Sequence, residues 1–104
     1  MHVAHVSGPQ LPAVEHDAAG ERFIVREGGE VAALEYHRRG DRISILHTGV
    51  PVSLERRGIG SELVRAAVEL AAAERLTVVP CCAFVKWWLE AHPDLEASVV
   101  VDRP

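Results

Sequence analysis

Two adjacent cysteines, one histidine and a pair of closely spaced glycines are the residues whose types and spacing suit chemistry in this chain. Cys82 follows Pro80 at the predicted start of a helix. There the helix dipole and the unpaired backbone amides lower a thiol pKa, which suits a nucleophile or a proton donor. His47 lies far upstream, and imidazole is the side chain tuned for proton transfer near neutral pH. Gly58 and Gly60 stand two apart, after a predicted strand and at the entry to a predicted helix. Glycine lets the backbone approach a ligand closely, and the free N–H groups of a helix start point at an anion. Arg56 and Arg57 add positive charge beside those amides. The segment suits a diphosphate. It lacks both the Gly-Lys-Ser/Thr of triphosphatase loops and the three-glycine dinucleotide pattern, so another phosphorylated cofactor is indicated.

Each of these residues also has a plain structural reading. The glycines and arginines fit a softened helix entry with two solvated cations. Cys81 reads as core filler, because cysteine is among the most buried residue types. His47 alternates onto the face of Ile43 and Ile45, where a hydrogen-bonded core histidine would fit. Trp87 and Trp88 read as packing residues, and His16 with Asp17 as a solvated strand edge. His2, His5 and His37 show no zinc-ligand spacing.

The elements that must position these groups follow from periodicity. Arg22 to Arg26, Val31 to His37 and Arg42 to Thr48 are β-rich runs separated by Gly-containing turns, which predicts an antiparallel meander. From Ile59 to Arg75 the period changes: Leu63, Ala67, Leu70 and Ala71 recur at helical spacing, with Arg65 and Glu69 spaced for a weak pair opposite. Leu76 to Val79 reads as a buried strand and Cys82 to Ala91 as a second helix with Phe84, Val85, Trp88 and Leu89 inward, stopped by Pro93. Ser98 to Val101 closes with another β run. The order predicts an α/β (α+β) domain with helices packed on a mixed sheet.

Composition bounds the rest. The chain has 104 residues, 48% of them hydrophobic, which allows one domain. We assign residues 1–13, with Gly8, Pro9 and Pro12, to an N-terminal arm and residues 14–104 to the domain. Fifteen acidic against eleven basic residues give a net charge of −4, which argues against nucleic-acid binding, since that needs clustered cations. No apolar run is long enough to span a bilayer. The first twelve residues hold no Lys or Arg and no sustained apolar core, unlike a signal peptide. Neighbouring cysteines seldom form an unstrained disulfide. A cytoplasmic domain is expected, of undefined oligomeric state.

The run Val50-Pro51, then Arg56-Arg57-Gly58-Ile59-Gly60, then a long amphipathic helix, resembles the acyl-CoA loop of GNAT-superfamily N-acetyltransferases. His47-Thr48-Gly49-Val50-Pro51 and Pro80-Cys81-Cys82-Ala83-Phe84 are similar to elements of a small single-domain GNAT-like subgroup. His16-Asp17, Arg22-Phe23, Leu34-Glu35-Tyr36 and His92-Pro93 extend the likeness over residues 14–94 in unbroken order. Two positions depart from the pattern. The subgroup usually has Glu where Gly49 stands, and the superfamily's loop opens on Gln or Arg where Glu55 stands.

The resemblance implies an acetyl-CoA-dependent N-acetyltransferase. Its cosubstrate would lie with the diphosphate on the amides of Arg57 to Ser61, beside Arg56, with Trp88 lining the pantetheine channel. The acyl carbonyl would lie near Gly49 and Val50, whose main-chain N–H groups polarise it, with Pro51 beside them in the cofactor site. The resemblance also gives His47 and Cys82 active-site roles. His47 would accept the amine proton, and Cys82 would either protonate the departing thiolate or form an acyl-enzyme. The acceptor is an amine of a small molecule, a polyamine or a protein. The length leaves no residues for helices that close over it, so an open acceptor side is expected, and the acidic surface favours a cationic acceptor. Two other readings stand beside this one: a non-catalytic acyl-CoA-binding or sensing module, motivated by Glu55 and Gly49, and an interaction domain that keeps the fold.

Overall fold

A computed structural model describes residues 12–104, so nearly all of the arm assigned to residues 1–13 lies outside the described residues. Six strands form one sheet in the order β1-β2-β3-β4-β5-β6. They are β1 (Glu15–Asp17), β2 (Arg22–Glu27), β3 (Glu30–Arg39), β4 (Arg42–Gly49), β5 (Thr77–Pro80) and β6 (Val100–Val101). The first four are antiparallel, as the meander predicts. The β4–β5 and β5–β6 pairs are parallel, each joined through a helix, and the sheet is therefore mixed.

Helix α1 (Ile59–Glu74) connects β4 to β5, and α2 (Ala83–Ala91) with the single turn α3 (Pro93–Glu96) connects β5 to β6. Leu63, Val64, Ala67, Val68 and Ala71 form the buried stripe of α1, and Val85, Trp88 and Leu89 that of α2. Both stripes join one core with Phe23, Val25, Ala32, Leu34, Tyr36, Ile43, Ile45 and Val78 from one face of the sheet. The other face carries Glu35 and His47, both exposed. On α1, Arg65 pairs with Glu62 at 3.8 Å rather than with Glu69, and its guanidinium lies 5.5 Å from the centre of the Trp88 ring.

β1 is too short for periodicity to reveal, yet it is well anchored. His16 Nε2 is hydrogen-bonded to Tyr36 Oη at 2.7 Å, and its ring stacks on Phe23 with centroids 4.3 Å apart. The turn into β2 is held by Asp17, which accepts from Arg22 Nε at 2.9 Å and from the Gly20 N–H at 3.0 Å. The Arg22 guanidinium and that amide hold the Asp17 carboxyl below the ordinary carboxylate range. A carboxyl held low in the folded state adds stability above its unfolded pKa and loses it as pH falls through the folded value. Asp17→Asn is expected to lower the urea midpoint at pH 7, and this difference is expected to shrink as pH falls through the lowered folded value of the Asp17 carboxyl.

Candidate functional site

The parallel pairing of β4 with β5 runs from Arg42↔Thr77 to Ile45↔Pro80 and then stops. Its last bond is donated by the Cys81 N–H to the Ile45 carbonyl at 2.9 Å. β4 continues past this point, paired only with β3 as far as Ala33↔Gly49. One edge of its final residues is thus left without a strand partner. At the same place the β3–β4 register slips: Tyr36 faces Ile45, but Glu35 faces His47, so Leu46 is an extra residue.

This bulge reverses the faces of everything after it. His47 is not on the core face with Ile43 and Ile45, as uninterrupted alternation predicts; it is exposed opposite Glu35. Thr48 takes the core side instead, directly opposite the fully buried Leu34. The His47 imidazole reaches along the strand over Gly49, where a Cβ would stand 3.1 Å from Nε2. The absence of a side chain at Gly49 is what leaves room for it.

Beyond β4 the chain passes through a single 3-10 turn, Val52–Leu54, and enters α1. Arg56 (φ 66°) and Gly58 (φ 78°) are both left-handed, and they bend the chain into the helix. Gly58 is the N-cap and has no side chain to offer the first turn. The first helical bond is Glu62 N–H to the Gly58 carbonyl at 3.1 Å, so the N–H groups of Ile59, Gly60 and Ser61 have no helical acceptor. Gly60 allows a close approach from α2: a Cβ there would lie 3.2 Å from the Phe84 ring.

Strand edge, loop and helix start enclose a cleft of about 560 Å³. Its walls include Gly49, Val50, Arg56, Gly58, Ile59, Gly60 and Ser61, seven of the ten positions assigned to a cofactor from sequence. Pro51 is half-buried beside it and starts the 3-10 turn. Arg57 turns away and pairs with Glu27 at 3.5 Å. Arg56 therefore supplies the cation at the cleft, and Glu55 stands on the same wall.

The assignment of Trp88 to this channel is corrected. Trp88 is fully buried, stacked on His92 with centroids 3.8 Å apart, and His92 Nδ1 donates to the Trp88 carbonyl at 2.8 Å. Its neighbour Trp87 lines the cleft beside Phe84, with ring centroids 5.7 Å apart. Phe84 and Trp87 are three residues apart and share a helical stripe; that spacing was the available signal for this wall. Thr48, Leu54 and Glu55 are the other lining residues that sequence reasoning did not assign.

Cys82 is the N-cap of α2, half-buried against the core, and its carbonyl accepts from Lys86 N–H at 3.1 Å. It does not line the cleft, and among the described residues no hydrogen bond links it to His47. Cys81, expected as core filler, is exposed. No cluster of metal-ligating side chains occurs among the described residues.

Comparison with known proteins agrees with this geometry. The family model for GCN5-related N-acetyltransferases matches residues 22–99. The chain belongs to that family. It is 34% identical over 83 residues to Protein NATD1 of Gallus gallus, covering 77% of this chain and 76% of that one. The Homo sapiens protein of the same name is also 34% identical, over 77% and 74% of the two chains. The solution structure of a GCN5-like protein from Staphylococcus aureus superposes with a TM-score of 0.67 at 26% identity. It covers 86% of this chain and 89% of that one.

The left-handed backbone at the family's loop yields a direct check. An L side chain pays about 1–2 kcal/mol for that conformation. Gly58→Ala is therefore expected to cost about 1 kcal/mol in urea unfolding, whereas Ala in place of exposed Arg57 is expected to change it little.

Proposed function

We propose that this chain is an acetyl-CoA-dependent N-acetyltransferase whose cleft takes the cosubstrate. One observation carries the reading: the unpaired end of β4 and the open amides of Ile59, Gly60 and Ser61 border the same cleft. Backbone groups along a strand edge suit the amides of a pantetheine arm, and first-turn amides suit a diphosphate. Phe84 and Trp87 give the arm an apolar wall, and Arg56 adds charge beside the phosphates. The thioester end would then lie toward Gly49 and Val50.

In the transfer, the amine nitrogen bonds to the acyl carbon and the carbon–sulfur bond breaks. The developing oxyanion is stabilised by main-chain N–H groups at the end of β4. His47, exposed on the open face of the sheet beside Gly49, accepts the proton released by the amine. Cys82 does not line the cleft, but it caps the helix whose Phe84 does; from there its thiol would supply a proton to the departing thiolate, or take the acyl group first and pass it to the amine. Glu35, across from His47, and the net charge of −4 favour a cationic acceptor: a small amine, a polyamine or a protein amine.

Glu55 supports a second reading. A carboxylate on the cleft wall opposes a diphosphate, which would suit a module that binds acyl-CoA weakly and transfers nothing.

Isothermal titration with acetyl-CoA and with CoA tests the reading. Saturable binding of both is expected, with thiol released once an amine acceptor is present. Binding without thiol release across an amine panel would favour the sensing module, and no binding of either would leave only an interaction domain. His47→Gln is expected to lower turnover on an accepted amine by about 100-fold or more while acetyl-CoA affinity stays within about twofold. Cys82→Ser is expected to lower turnover as well, and an acetyl adduct on Cys82 that amine chases off would select the covalent route. Unchanged turnover in both variants would remove both residues from the chemistry.

A further inference from the structure

Thr48 is placed on the helix-covered side of the sheet by the bulge at Leu46. It opposes Leu34, in a row that continues through Phe23 to His16. Its Oγ1 is buried, and among the described residues nothing forms a hydrogen bond with it. A buried hydroxyl without a partner costs about as much as a typical hydrogen bond contributes, so folds seldom keep one without a use. Valine would fill nearly the same space at no such cost. Yet Thr48 as a residue is only half-buried and forms part of the cleft wall next to Gly49. A turn of about 120° to another staggered rotamer carries the hydroxyl to the position that the methyl group or the Cβ hydrogen held. The hydroxyl can thus move toward the cleft when an acceptor arrives there.

We infer that the Thr48 hydroxyl donates a hydrogen bond to a carbonyl oxygen of the bound acyl-CoA chain. This rests on the acyl-CoA reading of the cleft. Two carbonyls share the chemistry, that of the thioester and that of the nearer pantetheine amide, and only the first is missing from free CoA. A hydroxyl that is unsatisfied in the free protein and satisfied by ligand converts a folding cost into affinity. The bulge then has two outputs: it turns His47 out to the open face and Thr48 in to the ligand.

The test is titration of the full chain and its Thr48→Val and Thr48→Ser variants with acetyl-CoA and with CoA, beside urea unfolding of each. Thr48→Val is expected to bind acetyl-CoA roughly three- to tenfold more weakly, to resist urea at least as well as the parent, and to keep its sheet spectrum. Thr48→Ser, which keeps the hydroxyl, is expected to stay within about threefold of the parent. A loss confined to acetyl-CoA assigns the bond to the thioester carbonyl, and an equal loss with CoA assigns it to the pantetheine amide. Unchanged affinity of Thr48→Val for both ligands overturns the inference. So does a lowered urea midpoint, because it would mean the hydroxyl is already satisfied inside the fold. If the parent chain itself binds neither ligand, the acyl-CoA reading falls and this inference with it.

Discussion

The end of the β4–β5 pairing at Ile45 is the constraint on which the remaining architecture depends. Up to that point every strand edge in the middle of the sheet is matched, and the core face is sealed by two helices. Past it, β4 has lost one neighbour while keeping the other. The chain leaving β5 then caps α2 at Cys82, and the chain leaving β4 turns into α1 at Gly58. Two helix starts and an open strand edge consequently converge on one cleft.

The same junction decides what each side of the sheet offers. On the covered side lie Thr48, Phe84, Trp87 and the first turn of α1, which make a groove with an apolar wall and free amides. On the other side lie His47 and Glu35. Gly49 stands between the two, with no side chain to separate the imidazole from the strand end. The proposed transfer would use this separation, with cosubstrate on the covered side, acceptor on the open side and the reacting atoms meeting at the strand end.

Most of the fold is legible in the sequence because its elements are long and strongly patterned. The three meander strands and the helix from Ile59 follow from period and turn residues, and the loop before that helix from its resemblance to the family's. Short pieces carry no such signal: β1 spans three residues, and α3 is one turn behind Pro93. The site was less legible for two physical reasons. A bulge adds one residue without any marker in composition, so the alternation through Leu46, His47 and Thr48 reads smoothly and assigns both polar residues to the wrong faces. Trp87 and Trp88 differ by about 100° around one helix, and either looks apolar enough to pack. Helical spacing already turns Trp88 inward with Val85 and Leu89, as the structure has it; the channel role implied for Trp88 by the resemblance did not fit that spacing, and it is Trp87 that lines the cleft.

If the proposed function holds, acyl-CoA binds in the cleft where the β4–β5 pairing ends and at no other surface. Amide and indole NMR shifts during titration of the full chain with acetyl-CoA test it most directly. Saturable shifts are expected at residues 48 to 50, at 58 to 61 and at the Trp87 indole, with the buried Trp88 indole far less affected. Saturable shifts centred instead on the second hollow, lined by Ala71, Arg75, Ala97 and Val100, would contradict it, as would no saturable shift at all.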